Sequence, residues 1–222
     1  MQIIPSILEK DTAEFIKQIQ KLTPYFNHFQ IDIADGIFVP NKTIQIEEIN
    51  RIFTDNRPLI ADNCFDFHLM VKDWLKEIDQ LKELKKLIKI KNVLIHFSVL
   101  ADNRYLTTGN NTDISLVINP SETINEIKNK YNLNDFPVIQ LMSVSPGFQG
   151  ASFIPQTLNK VKQLRQNNYR NKIYLDGGIN EKTIPLIIKP QTKPDGLCIG
   201  SYLTKTNNLA ASIEYLRNNH LY

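Results

Sequence analysis

The stretch Phe29-Gln30-Ile31-Asp32-Ile33-Ala34-Asp35-Gly36-Ile37-Phe38-Val39-Pro40-Asn41 opens as a β-strand and stops abruptly. Large apolar side chains alternate at Phe29, Ile31 and Ile33, and the alternation breaks at Asp35-Gly36, a turn signal. Period two sends Gln30, Asp32 and Ala34 to the opposite face. A carboxylate on a strand whose two faces are otherwise apolar costs several kcal/mol unless it is paired, protonated or bound to a cation. Asp32 therefore needs a reason to be there, and chemistry is the leading one.

Outward from this strand, apolar runs of similar length recur at Gln2 to Ile7, Phe65 to Val71, Asn92 to Phe97, Asp113 to Ile118, Pro137 to Val144, Lys172 to Asp176 and Gly196 to Gly200; the quoted run itself starts at His28. Amphipathic stretches separate them. Thr12 to Leu22 reads as a helix with Phe15, Ile16, Ile19 and Leu22 on one face, and Trp74 to Ile88 as another with Leu75, Ile78, Leu81, Leu84, Leu87 and Ile88. Such β/α repetition over 222 residues fits an α/β fold, a single (β/α)8 TIM barrel spanning 1–222. An open doubly wound sheet fits less well, because the Gly-rich dinucleotide fingerprint is missing after the first strand. In the fourth unit, Ala101 to Asn111 is short and polar and is broken by Thr107-Thr108-Gly109-Asn110-Asn111, so a stunted or irregular helix is expected there. Lys82 to Lys91 reads as a basic amphipathic helix whose charges form a solvated outer face.

Composition supports one domain. A hydrophobic content of 42% can fill a full core at this length, and no Pro/Gly/Ser-rich linker divides it. The net charge of +3 comes from scattered Lys and Arg with no basic block interleaved with aromatics, so no nucleic-acid partner is expected. No run approaches the ~18 uninterrupted apolar residues of a membrane span, and Gln2-Ile3-Ile4-Pro5-Ser6-Ile7-Leu8 has no signal-peptide pattern. A cytoplasmic protein without a membrane partner is expected. The two cysteines, Cys64 and Cys198, form neither a disulfide framework nor a CxxC zinc motif and read as reduced thiols.

Barrel enzymes place their sites at the C-terminal ends of the strands. Polar residues that end strands and face inward are Ser6 on the first, Asp32 on the second, His68 on the third and Asp176 on the seventh. In Phe65-Asp66-Phe67-His68-Leu69-Met70-Val71, alternation puts Asp66, His68 and Met70 on one side, so His68 points where Asp32 points. Tyr174 and Asp176 share a face, and their strand stands well round the barrel from the second. Two carboxylates would then approach one bound molecule from different sides. Each residue also has a plainer reading: a lone inward His as a hydrogen-bonded core residue, a strand-end Asp as a turn former or N-cap, Met70 and Met142 as core fillers. Their concentration at one barrel mouth is what favours a site.

A phosphate cradle is the other signal. Barrels often bind phosphate with the loops after strands seven and eight, here Asp176-Gly177-Gly178 and Ile199-Gly200-Ser201, and the loop after strand six adds Pro146-Gly147-Phe148-Gln149-Gly150. Glycines let backbone N–H groups approach an anion. Any one Gly pair could be a plain turn, but three such loops at adjacent strand ends are less easily so read.

At these residues the chain resembles the ribulose-phosphate 3-epimerase family. The matching blocks are Pro5-Ser6-Ile7-Leu8, Asp35-Gly36 with Phe38-Val39-Pro40-Asn41, His68-Leu69-Met70-Val71, Asn119-Pro120, Met142-Ser143-Val144, Pro146-Gly147-Phe148, Ser152-Phe153-Ile154-Pro155, Asp176-Gly177-Gly178 and Gly200-Ser201, in the family's order over nearly the whole chain. The resemblance implies a ribulose-phosphate-binding barrel and a metal-dependent epimerase of a small phosphorylated ketose, with Asp32 and Asp176 as the paired acid/base carboxylates. Both would also ligate one divalent metal ion (Zn, Mn, Fe or Co) together with His68. Ser6 and the loops Gly147-Phe148-Gln149-Gly150, Gly177-Gly178 and Gly200-Ser201 correspond to substrate contacts, and Ser143 to Pro155 to a mobile lid; His68 is expected to face the substrate as well, and Met70 and Met142, if adjacent to the site, to form its floor. A homo-oligomer is the expected assembly.

The chain departs from the family pattern at Gln30, where the family has a metal-binding His, at Ala34 in place of Met, at Gln149 in place of Gly, and at Ser98 in place of Glu. An amide oxygen at Gln30 would be a doubtful ligand and would shift preference towards Mn²⁺ or Mg²⁺. Ala34 motivates a wider pocket and a longer substrate such as allulose 6-phosphate; Gln30 motivates a phosphosugar-binding homologue without catalysis. The leading expectation is interconversion of D-ribulose 5-phosphate and D-xylulose 5-phosphate.

Overall fold

Eight parallel strands, β1 (Gln2–Ile7), β2 (His28–Ala34), β3 (Cys64–Met70), β4 (Lys89–His96), β5 (Ile114–Ile118), β6 (Val138–Met142), β7 (Lys172–Asp176) and β8 (Gly196–Ile199), pair in sequence order and close where β8 meets β1. This (β/α)8 barrel is drawn from a computed structural model that describes residues 1–100, 114–147, 150–219 and 221. The bounds of β1, β2 and β7 fall where the alternating pattern puts them.

Alternation sorts the barrel into two apolar layers. Phe29, Ile31 and Ile33 of β2 point outward into the layer between strands and helices. There Phe15 of α1 (Thr12–Leu22) and Phe53 of α2 (Ile46–Asp55) meet them, with ring centroids 6.0 Å apart for Phe15–Phe53 and 5.1 Å for Phe53–Phe65. Burying each such side chain contributes roughly 1.5–3 kcal/mol. The barrel's inside is filled separately by Ile4, Leu94, Val117, Val138, Met142, Tyr174 and Cys198. Local signals start the helices: Asp11 caps α1 by accepting the Glu14 N–H at 3.0 Å, and Asp73 caps α3 (Trp74–Leu84) by accepting the Lys76 N–H at 3.3 Å.

Two expectations need correction. The helix from Trp74 stops at Leu84, short of Ile88, and Lys82 to Lys91 is not a basic helix: it holds the end of α3, a turn and the start of β4. Leu84, Leu87 and Ile88 fit helical spacing, but Ile88 and Ile90 are buried while Lys89 and Lys91 are exposed, and this period of two, paired to β3 at Cys64–Lys89 and Phe65–Ile90, prevails. Ala101 to Asn111 lies outside the described residues.

Beyond the strands' C-terminal ends the chain folds α4 (Ile124–Lys128), α5 (Leu158–Gln166), α6 (Ile184–Ile187), α7 (Ser201–Thr204) and α8 (Leu209–Asn218). The abrupt end of β2 is a built turn. Asp35 accepts the N–H groups of Ile37, Phe38 and Lys72 at 2.7, 2.8 and 2.8 Å, and these bonds to its charged form outweigh its partial burial and hold its carboxyl below the usual range. Thr43 then ties the returning chain to β2, accepting from the Ala34 N–H and donating to the Asp32 carbonyl, both at 3.0 Å.

Candidate active site

Strand register brings the polar side chains together. Asp32 and His68 are direct partners across β2 and β3, and Met142, Asp176 and Cys198 line up across β6, β7 and β8. His68 Nδ1 lies 3.0 Å from Asp32 Oδ1 and 3.7 Å from Asp176 Oδ2, and Ser6 Oγ donates to Asp32 Oδ2 at 2.5 Å. Asp32, His68 and Asp176 are buried and offer ligand atoms within 4.8 Å of one another, so they could hold a metal ion. Among the described residues this is the one such cluster.

The electrostatics follow from two carboxylates in a dry place. Burial, and then the charge of Asp32, push Asp176 up to about 7, against the opposing pull of His68 and a hydrogen bond from Gln30. Burial opposes charge on His68, but the hydrogen bond and charge of Asp32 and the charge of Asp176 leave it raised. His96, whose Nε2 lies 2.9 Å from His68 Nε2, is driven well below the ordinary histidine range by burial and by His68. One of those two Nε2 atoms must carry the shared proton, which fits a neutral His96 accepting from His68.

Gln30 is fully buried, on the face alternation assigns it, and its Nε2 donates to Asp32 Oδ1 at 2.9 Å and to Asp176 Oδ2 at 2.7 Å. Gln140 on β6 donates to the same Asp176 oxygen at 2.9 Å. Gln140 and His96 are site members that the sequence reading passed over. Gln140 was findable by the argument that singled out Asp32, since it is a polar residue facing inward on the otherwise apolar β6, and His96 ends β4 after the apolar run Val93-Leu94-Ile95.

Above this floor a cavity of roughly 510 Å³, counted out to its open mouth, is lined by Ser6, Asp32, His68, Met70, Met142, Gly147, Gly150, Asp176, Gly177, Gly178, Gly200 and Ser201 among others. The three glycine loops thus surround one opening; Phe148 and Gln149 lie outside the described residues. Ser143 binds the loop after β6 to that after β7, its Oγ lying within hydrogen-bond distance of the carbonyls of Asp176 and Gly177 at 2.9 and 2.7 Å and donating its one proton to them. Two glycines permit close approach: a Cβ at Gly177, φ +110°, would sit 2.4 Å from Val144 Cγ2, and one at Gly147, φ +107°, 2.7 Å from Val39 Cβ. Ala34 does not line the cavity; it is buried with Val39 and Met70, under Leu8 and Phe38. Met70, which packs on it, lines the cavity, so Ala34 stands behind the wall rather than in it.

The ribulose-phosphate 3 epimerase family matches residues 2–203 as a family model. Among curated proteins, the ribulose-phosphate 3-epimerase of Helicobacter pylori is 30% identical, over 98% of this chain and 97% of its own length. That of Methanocaldococcus jannaschii is 28% identical, over 98% and 90%. Among solved structures, the tryptophan synthase alpha-subunit of Pyrococcus furiosus (a D110N mutant) superposes with a TM-score of 0.68 at 15% identity, covering 98% of both chains. KGPDC from Streptococcus mutans gives 0.68 at 11% identity, covering 99% of this chain and 98% of its own; both likenesses concern the fold alone. The chain belongs to the ribulose-phosphate 3-epimerase family, and it is an epimerase, which sets aside the non-catalytic alternative. No helix among the described residues is long and apolar enough to cross a membrane.

Proposed function

We propose that the chain interconverts D-ribulose 5-phosphate and D-xylulose 5-phosphate by moving the proton at C3, with Asp32 and Asp176 as the two proton-transferring groups. The observation that carries this reading is the pair of buried carboxylates on β2 and β7, with β1 and β8 between them, both within hydrogen-bond reach of Gln30 at the floor of one cavity. Inverting a carbon next to a ketone requires a proton to leave one face of the planar enediolate and another to arrive on the opposite face, hence two acid/base groups. Ser6 orients Asp32, and His96 holds the His68 ring with its Nδ1 turned to the carboxylates.

Asp32, His68 and Asp176 fit a divalent metal ion, because their donor atoms converge and two carboxylates close together call for positive charge. When bound, such an ion supplies a Lewis acid for the oxygen on which negative charge develops. The ligand set is rich in oxygen, which favours Mn²⁺ or Mg²⁺. The backbone around Gly177, Gly178, Gly200 and Ser201 is the proposed seat of the phosphate, whose binding energy holds C3 between the carboxylates.

Proton NMR in D2O tests this. Ribulose 5-phosphate should lose its C3 proton signal as xylulose 5-phosphate appears, and unphosphorylated ribulose should react far more slowly. Retention of the C3 proton on ribulose 5-phosphate, with metal supplied, would contradict the reading.

A further inference from the structure

The two carboxylates at the mouth are held in different ways. Asp32 takes partners on both oxygens: Gln30 Nε2 at 2.9 Å and His68 Nδ1 at 3.0 Å on Oδ1, and Ser6 Oγ at 2.5 Å on Oδ2. Asp176 takes them on one. Gln30 and Gln140 both donate to its Oδ2, at 2.7 and 2.9 Å, and its Oδ1 accepts no hydrogen bond among the described residues. Asp176 lines the cavity, so Oδ1 is the oxygen left for the molecule that binds there.

The χ2 torsion of an aspartate is broad and two-fold, so its oxygens exchange places unless something holds one of them. Gln140 is built as that brace. It is fully buried and stands behind the cavity wall, among apolar residues of β6, where an amide costs free energy unless its groups are paired. Both ends are paired: Nε2 donates to Asp176 Oδ2 and lies 3.8 Å from Met142 Sδ, while Oε1 accepts the Cys198 thiol at 3.5 Å. Asp176 is thus gripped from β6 and, through the amide, from β8, the two strands that flank its own. Gln30 does something else, because its one nitrogen is shared between Asp32 and Asp176 and ties them together. Gln140 makes no hydrogen bond to Asp32 among the described residues.

The geometry points to Gln140 as a positioning residue of the epimerase, one that fixes the rotation of the Asp176 carboxylate with Oδ1 towards C3 of the bound ketose and so serves one of the two proton transfers. The inference rests on the proposed roles of Asp32 and Asp176. It gives Gln140 a one-sided effect. A residue that merely satisfied a buried carboxylate would influence folding and treat both faces of C3 alike.

The test is C3 deuterium exchange measured separately on ribulose 5-phosphate and xylulose 5-phosphate, with metal supplied, in Gln140→Met, Gln140→Leu, Asp32→Asn and Asp176→Asn. Both Gln140 variants keep apolar bulk and lose the donor. Each should lose exchange by ~10- to 100-fold on the epimer that Asp176→Asn impairs more, since misplacing a reacting group by ~1 Å costs on that order, and lose much less on the other epimer. KM should stay near wild type, because Gln140 does not line the cavity. Equal losses on both epimers, or no loss, overturn the positioning role. Should neither Gln140 variant fold, Cys198→Ala, which releases the far end of the amide, is read by the same asymmetry, and an equal effect on both epimers overturns the role again. If Asp32→Asn and Asp176→Asn fail to split the epimers, the two-face reading falls and this inference with it; if they split them and the Gln140 variants do not, the inference alone falls.

Discussion

The barrel carries a histidine–aspartate pair at each end, built on the same two strands. At the mouth, Asp32 of β2 faces His68 of β3; at the foot the order is reversed, with His28 of β2 and Asp66 of β3, whose Nε2 and Oδ2 lie 2.9 Å apart. At the foot one histidine meets one carboxylate. Asp66 also accepts from Asn92 Nδ2 at 2.7 Å, Ser115 Oγ donates to Asn92 at 3.4 Å, and Gln2 Nε2 sits 2.6 Å from His28 Nδ1. The mouth has one carboxylate too many, Asp176, and a cavity above it. A matched buried pair reads as architecture, whereas an unmatched carboxylate beside a cavity is charge kept for a bound molecule.

That contrast can be broken at either end. The largest expected effect is at the mouth: Asp32→Asn or Asp176→Asn should lower epimerisation by ~10²-fold or more, the scale of a positioned acid/base, with folding retained. Near-wild-type turnover in either variant would remove it from the proton-transfer pair. At the foot the effect should fall on stability. Asp66→Leu strands His28 in the interior and should cost roughly 3–5 kcal/mol, as breaking a buried pair does, read by urea denaturation, with turnover per folded molecule unchanged. Loss of turnover alone would mean that the two ends are coupled.

Smaller effects sharpen the comparison. Gly177→Ala forces a Cβ against Val144 at a positive φ, so a stability loss of ~1–3 kcal/mol and weaker competition by inorganic phosphate are expected; unchanged phosphate binding would take this loop out of the cradle. Smaller than for Asp66→Leu alone should be the loss in the paired change His28→Leu with Asp66→Leu, which removes both partners at once and strands only the amides of Asn92 and Gln2. A double variant no more stable than Asp66→Leu would show that the foot pair is more than mutual compensation.

The sequence made the mouth legible because strand alternation is a strong rule. Asp32, His68 and Asp176 converge as period two requires, and Ser6 joins them through the β1–β2 register that sets Ser6 beside Gln30. Where two periods overlap, the reading failed: Leu84, Leu87, Ile88 and Ile90 suit a helix until β3 pairing claims Lys89 onward for β4. Gln30 was placed on the right face, but face alone does not say which end of an amide meets the carboxylates. That depends on Asp176, 146 positions away in the chain. Ala34 shows the same limit, since its face is legible but not that it lies behind the cavity wall, packed with Val39, Met70 and Phe38.

The central claim is that Asp32 and Asp176 each serve one face of C3. The most direct measurement is C3 deuterium exchange in each epimer separately, with Asp32→Asn and Asp176→Asn under saturating Mn²⁺. Each variant should lose exchange of one epimer much more than of the other, and the two variants should spare opposite epimers. Equal loss on both epimers in both variants would contradict the claim and leave the carboxylates with no assigned face.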